Sequence, residues 1–224
     1  MSFARWGIVP LIVPVFLTLS LVSIFPWNPW GLLVVCLASP VILFILWFFR
    51  NPHRFTNAPI DHLIAPSDGV IADIEEIEEP SFIGTRALRI GIFMSVFDVH
   101  INRSPASGII CYHDYHVGGF LDARNIDAKR LNESNTLGMM LSGNVRILVR
   151  QIAGRIARRI VCTHILGDTL ERGEIFGMIR FGSRTEVWID LQADPQALVC
   201  VGQRVKGGVT PIFRVNRQTT KAPL

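Results

Sequence analysis

Ile179-Arg180-Phe181-Gly182-Ser183-Arg184-Thr185-Glu186-Val187-Trp188-Ile189 joins two signals: it holds the one Gly-Ser step among eighteen glycines, and it runs into a strand-like stretch over residues 186–191. Outward from it the same texture recurs. Residues 70–77, 87–93, 96–102, 108–115, 145–152, 156–163 and 209–215 are short runs rich in Val and Ile, and Gly, Pro, Asn or Asp often lie between them. Eight such runs with little helical periodicity predict a mainly β domain of barrel-sandwich type, with some α, over residues 51–224. The polar segment 120–141 is the exception, and part of it is expected as helix or loop.

Half of the 224 residues are hydrophobic, an excess concentrated at the N-terminus. Residues 7–25 and 31–49 carry no charge, and each run has the length of a membrane-embedded helix. The uncharged connection Pro26-Trp27-Asn28-Pro29-Trp30 suits a membrane interface, so residues 1–50 read as a helical hairpin anchor. Two full spans and a hairpin that enters one leaflet both fit. A second apolar run following at once argues against a cleaved signal peptide. Arg5 precedes the hairpin and Arg50, His53 and Arg54 follow it, which puts both ends and the main domain on the cytoplasmic side of the cell membrane. Residues 51–63, with Pro52 and Pro59, read as a linker.

The net charge of +4 suits anionic lipid or nucleic acid. With two hydrophobic segments and no nucleic-acid motif, an anionic membrane is the expected partner and nucleic acid is not. Cys36, Cys111, Cys162 and Cys200 form no CxxC pair, so structural zinc is not expected and reduced thiols are. His113-Asp114-Tyr115-His116 lacks further ligands, and no metal is assigned.

Read as a strand, residues 96–105 put Asp98, His100 and Asn102 on one face and Phe97, Val99 and Ile101 on the other. Such a polar row floors a catalytic pocket, with His100 as acid or base, or else is a solvated strand face. Asp68 precedes Gly69 in a turn, where it either bonds nearby backbone or orients a histidine. Asn132-Glu133-Ser134-Asn135 reads as a substrate-contacting loop or a surface turn. Residues 201–209 resemble the hairpin-rich segment of biotinyl and lipoyl carriers, but Lys206 lacks the Met-Lys setting, so only the architecture carries over.

Asp68-Gly69, the segment from Met94 to Pro105, Gln151-Ile152-Ala153-Gly154 and the segment from Ile179 to Arg184 occur in that order. Together they resemble the short bacterial form of phosphatidylserine decarboxylase, over roughly residues 50–215. The resemblance implies a proenzyme that cuts itself between Gly182 and Ser183 into a large chain, 1–182, and a small chain, 183–224. Ser183 would become a covalent pyruvoyl (pyruvate) cofactor, whose ketone forms a Schiff base with phosphatidylserine and releases carbon dioxide and phosphatidylethanolamine. It further implies that phosphatidylserine and the two chains are the partners, with a homo-oligomer left open. His100 is the implied acid or base. Its orienting partner is Asp68, with Asp98 as the alternative. Arg103 stands where the long form of the family has a second histidine, and Phe181 and Arg184 replace Leu and Thr around Gly-Ser. Two other readings are a non-catalytic membrane-tethered barrel-sandwich binding domain and a serine hydrolase with Ser183 intact. The absence of Gly-x-Ser-x-Gly counts against the hydrolase.

Overall fold

A computed structural model describes residues 2–24, 29–119, 131–154, 159–180 and 183–215, and the chain divides into two compact units, Met1–His53 and Arg54–Leu224.

In the first unit, α1 (Ile8–Ile24) and α2 (Pro29–Phe48) form the expected pair of apolar helices. Strand β1 (Ser2–Phe3) pairs with β2 (Arg50–Asn51), which clips the two ends of the pair together. Spans Arg5–Ser23 and Pro29–Phe48, of mean hydropathy 2.1 and 2.6, are long and apolar enough to cross a membrane. Their large side chains point outward: Phe16, Leu32 and Leu43 are exposed.

The second unit comprises β3 (His62–Ile64), β4 (Gly69–Glu79), β5 (Thr85–Met94), β6 (Ile101–Arg103), β7 (Gly108–His116), β8 (Ser134–Met140), β9 (Arg146–Ile152), β10 (Ile160–Cys162), β11 (Thr169–Leu170), β12 (Ile175–Ile179), β13 (Ser183–Asp190), β14 (Pro195–Ala197), β15 (Arg204–Val205) and β16 (Pro211–Val215). A curled, antiparallel eight-stranded sheet runs β11-β7-β8-β9-β13-β5-β4-β15, and two three-stranded sheets run β10-β12-β6 and β14-β16-β3. The core lies on one face of the large sheet, where Ile90, Ile92, Val149, Val187 and Ile189 pack with Phe176, Ile212 and Phe213 from the smaller sheets. Burying each such side chain contributes about 1.5–3 kcal/mol. The fold is strand-rich, as expected.

Three local expectations change. Of residues 96–102, only the end is strand, because the Asp98 carboxylate accepts from Ser95 N and Oγ, both at 2.8 Å, and closes a turn in place of a ladder. Within 120–141, Ser134–Met140 is strand β8, paired to β7 and β9, while 120–130 lies outside the described residues. Asn132, Glu133, Ser134 and Asn135 are buried, so they are not a surface turn. The third change concerns β13. It begins at Ser183, three residues before the expected start, and all eight of its residues pair with β5 while six pair with β9.

Candidate active site

Alternation along β13 points Ser183, Thr185, Val187 and Ile189 to the core face and Arg184, Glu186, Trp188 and Asp190 to the other. Ser183 is fully buried and sits opposite Met94, the last residue of β5. Its hydroxyl donates to the Met94 thioether at 3.8 Å, a weak acceptor. The same sulfur receives Thr185 Oγ1 at 3.4 Å and Asn102 Nδ2 at 4.0 Å. Met94 also packs with Ala153, Ile160 and Ile179, so the serine lies against a small apolar cluster. Gly182 and Phe181, the residues just before it, lie outside the described residues.

Behind this cluster runs a chain of amides. Gln151 Nε2 donates to Asn102 Oδ1 at 2.7 Å, Asn135 Nδ2 to Gln151 Oε1 at 3.0 Å, and His113 Nε2 meets Asn135 Oδ1 at 2.7 Å. The three amide side chains are almost completely buried, and each is satisfied by its neighbours, which fixes the wall that Ser183 and Thr185 face.

His100 is fully buried just before β6. Its backbone carbonyl accepts from Ile179 N at 3.2 Å, tying it to the end of β12 and so to the segment leading into Ser183. Its Nδ1 lies 2.9 Å from the Asp98 carbonyl oxygen. A carbonyl only accepts, so Nδ1 carries a proton, and in a neutral ring Nε2 would be the basic nitrogen. Asp98 thus orients His100 through its backbone. Its carboxylate is occupied by Ser95 and by Arg204 Nη1 at 3.2 Å.

Asp68 is engaged elsewhere. Its Oδ2 and Oδ1 lie 2.8 and 3.2 Å from Arg54 Nη2, and Oδ1 also accepts from Gly207 N at 2.8 Å. Among the described residues it makes no hydrogen bond to His100, and its charge lies beside a basic pair. Burial, and next the charge of Arg54, hold the Arg103 guanidinium below its ordinary pKa, with Asp68 acting the other way. Arg103 Nη1 donates to the Gly173 carbonyl at 3.0 Å.

A model of the phosphatidylserine decarboxylase family matches residues 41–213, which include Ser183, His100 and Asp68. The chain belongs to the phosphatidylserine decarboxylase family. It is 48% identical over 173 residues to a phosphatidylserine decarboxylase proenzyme of Symbiobacterium thermophilum, covering 77% of this chain and 80% of the relative. To that of Carboxydothermus hydrogenoformans it is 43% identical over 189 residues, 84% of this chain and 86% of the relative. A relative from Rhodopirellula baltica is 38% identical over 220 residues, 96% of this chain and 88% of the relative, so that likeness extends through the two apolar helices.

Within this family member, the sequence reading missed Thr185, Met94 and Asn135 as part of the surroundings of Ser183. It also missed the ion pairs behind them. Arg184 and Glu186 are buried and charged on alternate positions of an otherwise β-prone run, a pattern that signals partners on neighbouring strands.

Proposed function

We propose that the protein is a self-processing decarboxylase that converts phosphatidylserine to phosphatidylethanolamine and carbon dioxide, with Ser183 as the source of a pyruvoyl group and His100 as its proton handler. The observation that carries this reading is the position of Ser183. It heads a strand walled in by β5 and β9, so a break before it leaves the following residues in the sheet. Its hydroxyl has a thioether as acceptor, so converting the residue orphans no strong buried donor or acceptor.

In maturation, His100 Nε2 takes the Ser183 hydroxyl proton and the oxygen attacks the Gly182 carbonyl, exchanging the peptide bond for an ester and freeing the Ser183 nitrogen as an amine. Removal of the Ser183 α-proton expels the Gly182 carboxylate and leaves a dehydroalanine. Its imine tautomer is hydrolysed by water, ammonia departs, and a ketone remains at residue 183. That pyruvoyl group supplies an electrophilic carbonyl for the substrate amine and a sink for the electrons released with carbon dioxide. His100 then delivers the proton that replaces the lost carboxyl on the substrate carbon. Asp98, through its carbonyl, keeps the ring in the tautomer this needs. The apolar cluster of Met94, Ala153, Ile160 and Ile179 excludes water that would compete for the proton.

The apolar helices suit a substrate confined to a bilayer. In this reading they hold the chain in the cell membrane with the Arg54–Leu224 unit on the cytoplasmic side. The test is the mass of the chain recovered from membranes washed in alkaline carbonate. Two chains divided after Gly182 are expected, the small one carrying a carbonyl reactive toward hydroxylamine, and Ser183→Ala should give one uncut chain. An intact wild-type chain with full activity would refute self-processing. Quantitative release of folded enzyme into the wash would refute the inserted hairpin.

A further inference from the structure

Self-cleavage leaves residue 183 at a chain end. The covalent tether on its N-terminal side is gone, and its nitrogen departs as ammonia, so it can no longer donate a backbone hydrogen bond. Strand ends in that condition fray. The chemistry nevertheless needs residue 183 held to a fraction of an ångström.

Arg184, the next residue, is buried on the reverse face of β13. Its Nε donates to Glu186 Oε1 at 2.8 Å and its Nη2 to Asp73 Oδ1 at 2.6 Å. Asp73 lies on β4, with β5 between it and β13, and Gly91 of β5 pairs with Asp73 on one side and Glu186 on the other. The guanidinium crosses that gap directly over Gly91: a Cβ there would come within 1.8 Å of Nη2 and 2.3 Å of Cζ. Any side chain at position 91 would displace the guanidinium.

A second arginine braces the arrangement. Arg89 Nη2 donates to Asp73 Oδ1 at 3.2 Å, its Nη1 lies 3.6 Å from Glu186 Oε1, and it also pairs with Glu75. Trp188 Nε1 donates to Glu186 Oε2 at 3.2 Å, and the Arg89 guanidinium sits 5.3 Å from the Trp188 ring centre. Burial alone would lower the Arg184 pKa, but Glu186 and Asp73 outweigh it and hold the group above its ordinary value. Well-packed apolar side chains stabilise a sheet face at least as well as a buried ion-pair network, whereas charge-assisted hydrogen bonds fix direction and distance.

We infer that Arg184, seated on Gly91 and bonded to Asp73 and Glu186, is the clamp that holds residue 183 in register after its bond to Gly182 is broken. The inference rests on the self-cleavage reading above. Arg184 and Glu186 fall in the small chain and Asp73, Arg89 and Gly91 in the large one, so the bond from Arg184 to Asp73 joins the two products. Arg184 faces away from the core side that Ser183 occupies; it is a positioning residue.

The test uses Arg184→Gln and Gly91→Ala, each made in the self-cleaving protein and in an uncut Ser183→Ala background. The clamp predicts that the cut variants lose ten- to a hundredfold in kcat with KM little changed, the order expected for a misplaced reacting group. It also predicts a larger fall in melting temperature for the cut form than for the uncut one. Gly91→Ala keeps every charged group and carries the test if Arg184→Gln does not fold. Equal falls in both backgrounds with kcat intact would overturn the clamp and leave self-processing standing. A wild-type chain that proves uncut by mass would overturn both.

Discussion

His100 and the two aspartates weighed as its partner divide their work in a way that residue types alone do not reveal. The turn residue Asp68 and the buried His100 were both legible as singular positions. The bond that orients His100 was not, because it comes from the Asp98 main chain. Asp68→Asn is therefore expected to weaken the contacts to Arg54 and Gly207, costing about 1–3 kcal/mol in urea unfolding, with maturation retained. His100→Ala, in contrast, is expected to block maturation or turnover. An Asp68→Asn protein as stable as the wild type yet unable to mature would return Asp68 to the side of His100. Normal processing with normal decarboxylation in His100→Ala would remove His100 from the mechanism.

At the scale of elements, the Val- and Ile-rich strands β4, β5, β7 and β9 follow from composition, since branched side chains fit a half-buried pleat. Strand β8, Ser-Asn-Thr-Leu-Gly-Met-Met, does not: β7 and β9 on either side make it a strand. The first residues of β13 were missed for the same reason, because Arg184 finds its carboxylate partner Asp73 111 positions away. The pairing of β7 with β8 is closed at one end by Tyr115 Oη, which donates to Glu133 Oε1 at 2.6 Å. That hydrogen bond, then burial and the charge of Glu133, push the phenol up to about 12 against an opposing pull from Arg159. A folded-state pKa raised above the usual value of about 10 gives stability that is full below that pH and is lost as pH rises through about 12. Tyr115 should ionise in a late phase, near pH 12, of a phenolate absorbance titration. Glu133→Gln should move that phase to lower pH; an unchanged titration would show that Glu133 is not its cause.

On the scale of the whole molecule, the apolar run lengths announced the two helices and the β texture announced the sheets. The burial of Ser183 at the head of an interior strand is a property of topology alone. Because β13 lies between β5 and β9, a small chain cut as proposed before residue 183 would depart only by unzipping two ladders at once. Mature enzyme molecules should therefore not trade subunits. When enzyme grown on light isotopes is mixed with enzyme grown on heavy ones and kept below the unfolding range, only the two parental combinations of large and small chain should be recovered. Hybrid pairs appearing within the lifetime of activity would mean that the ladders open freely. Without such exchange, the two polypeptides of the proposed cut form would age as a fixed one-to-one pair, and damage to either chain would retire both.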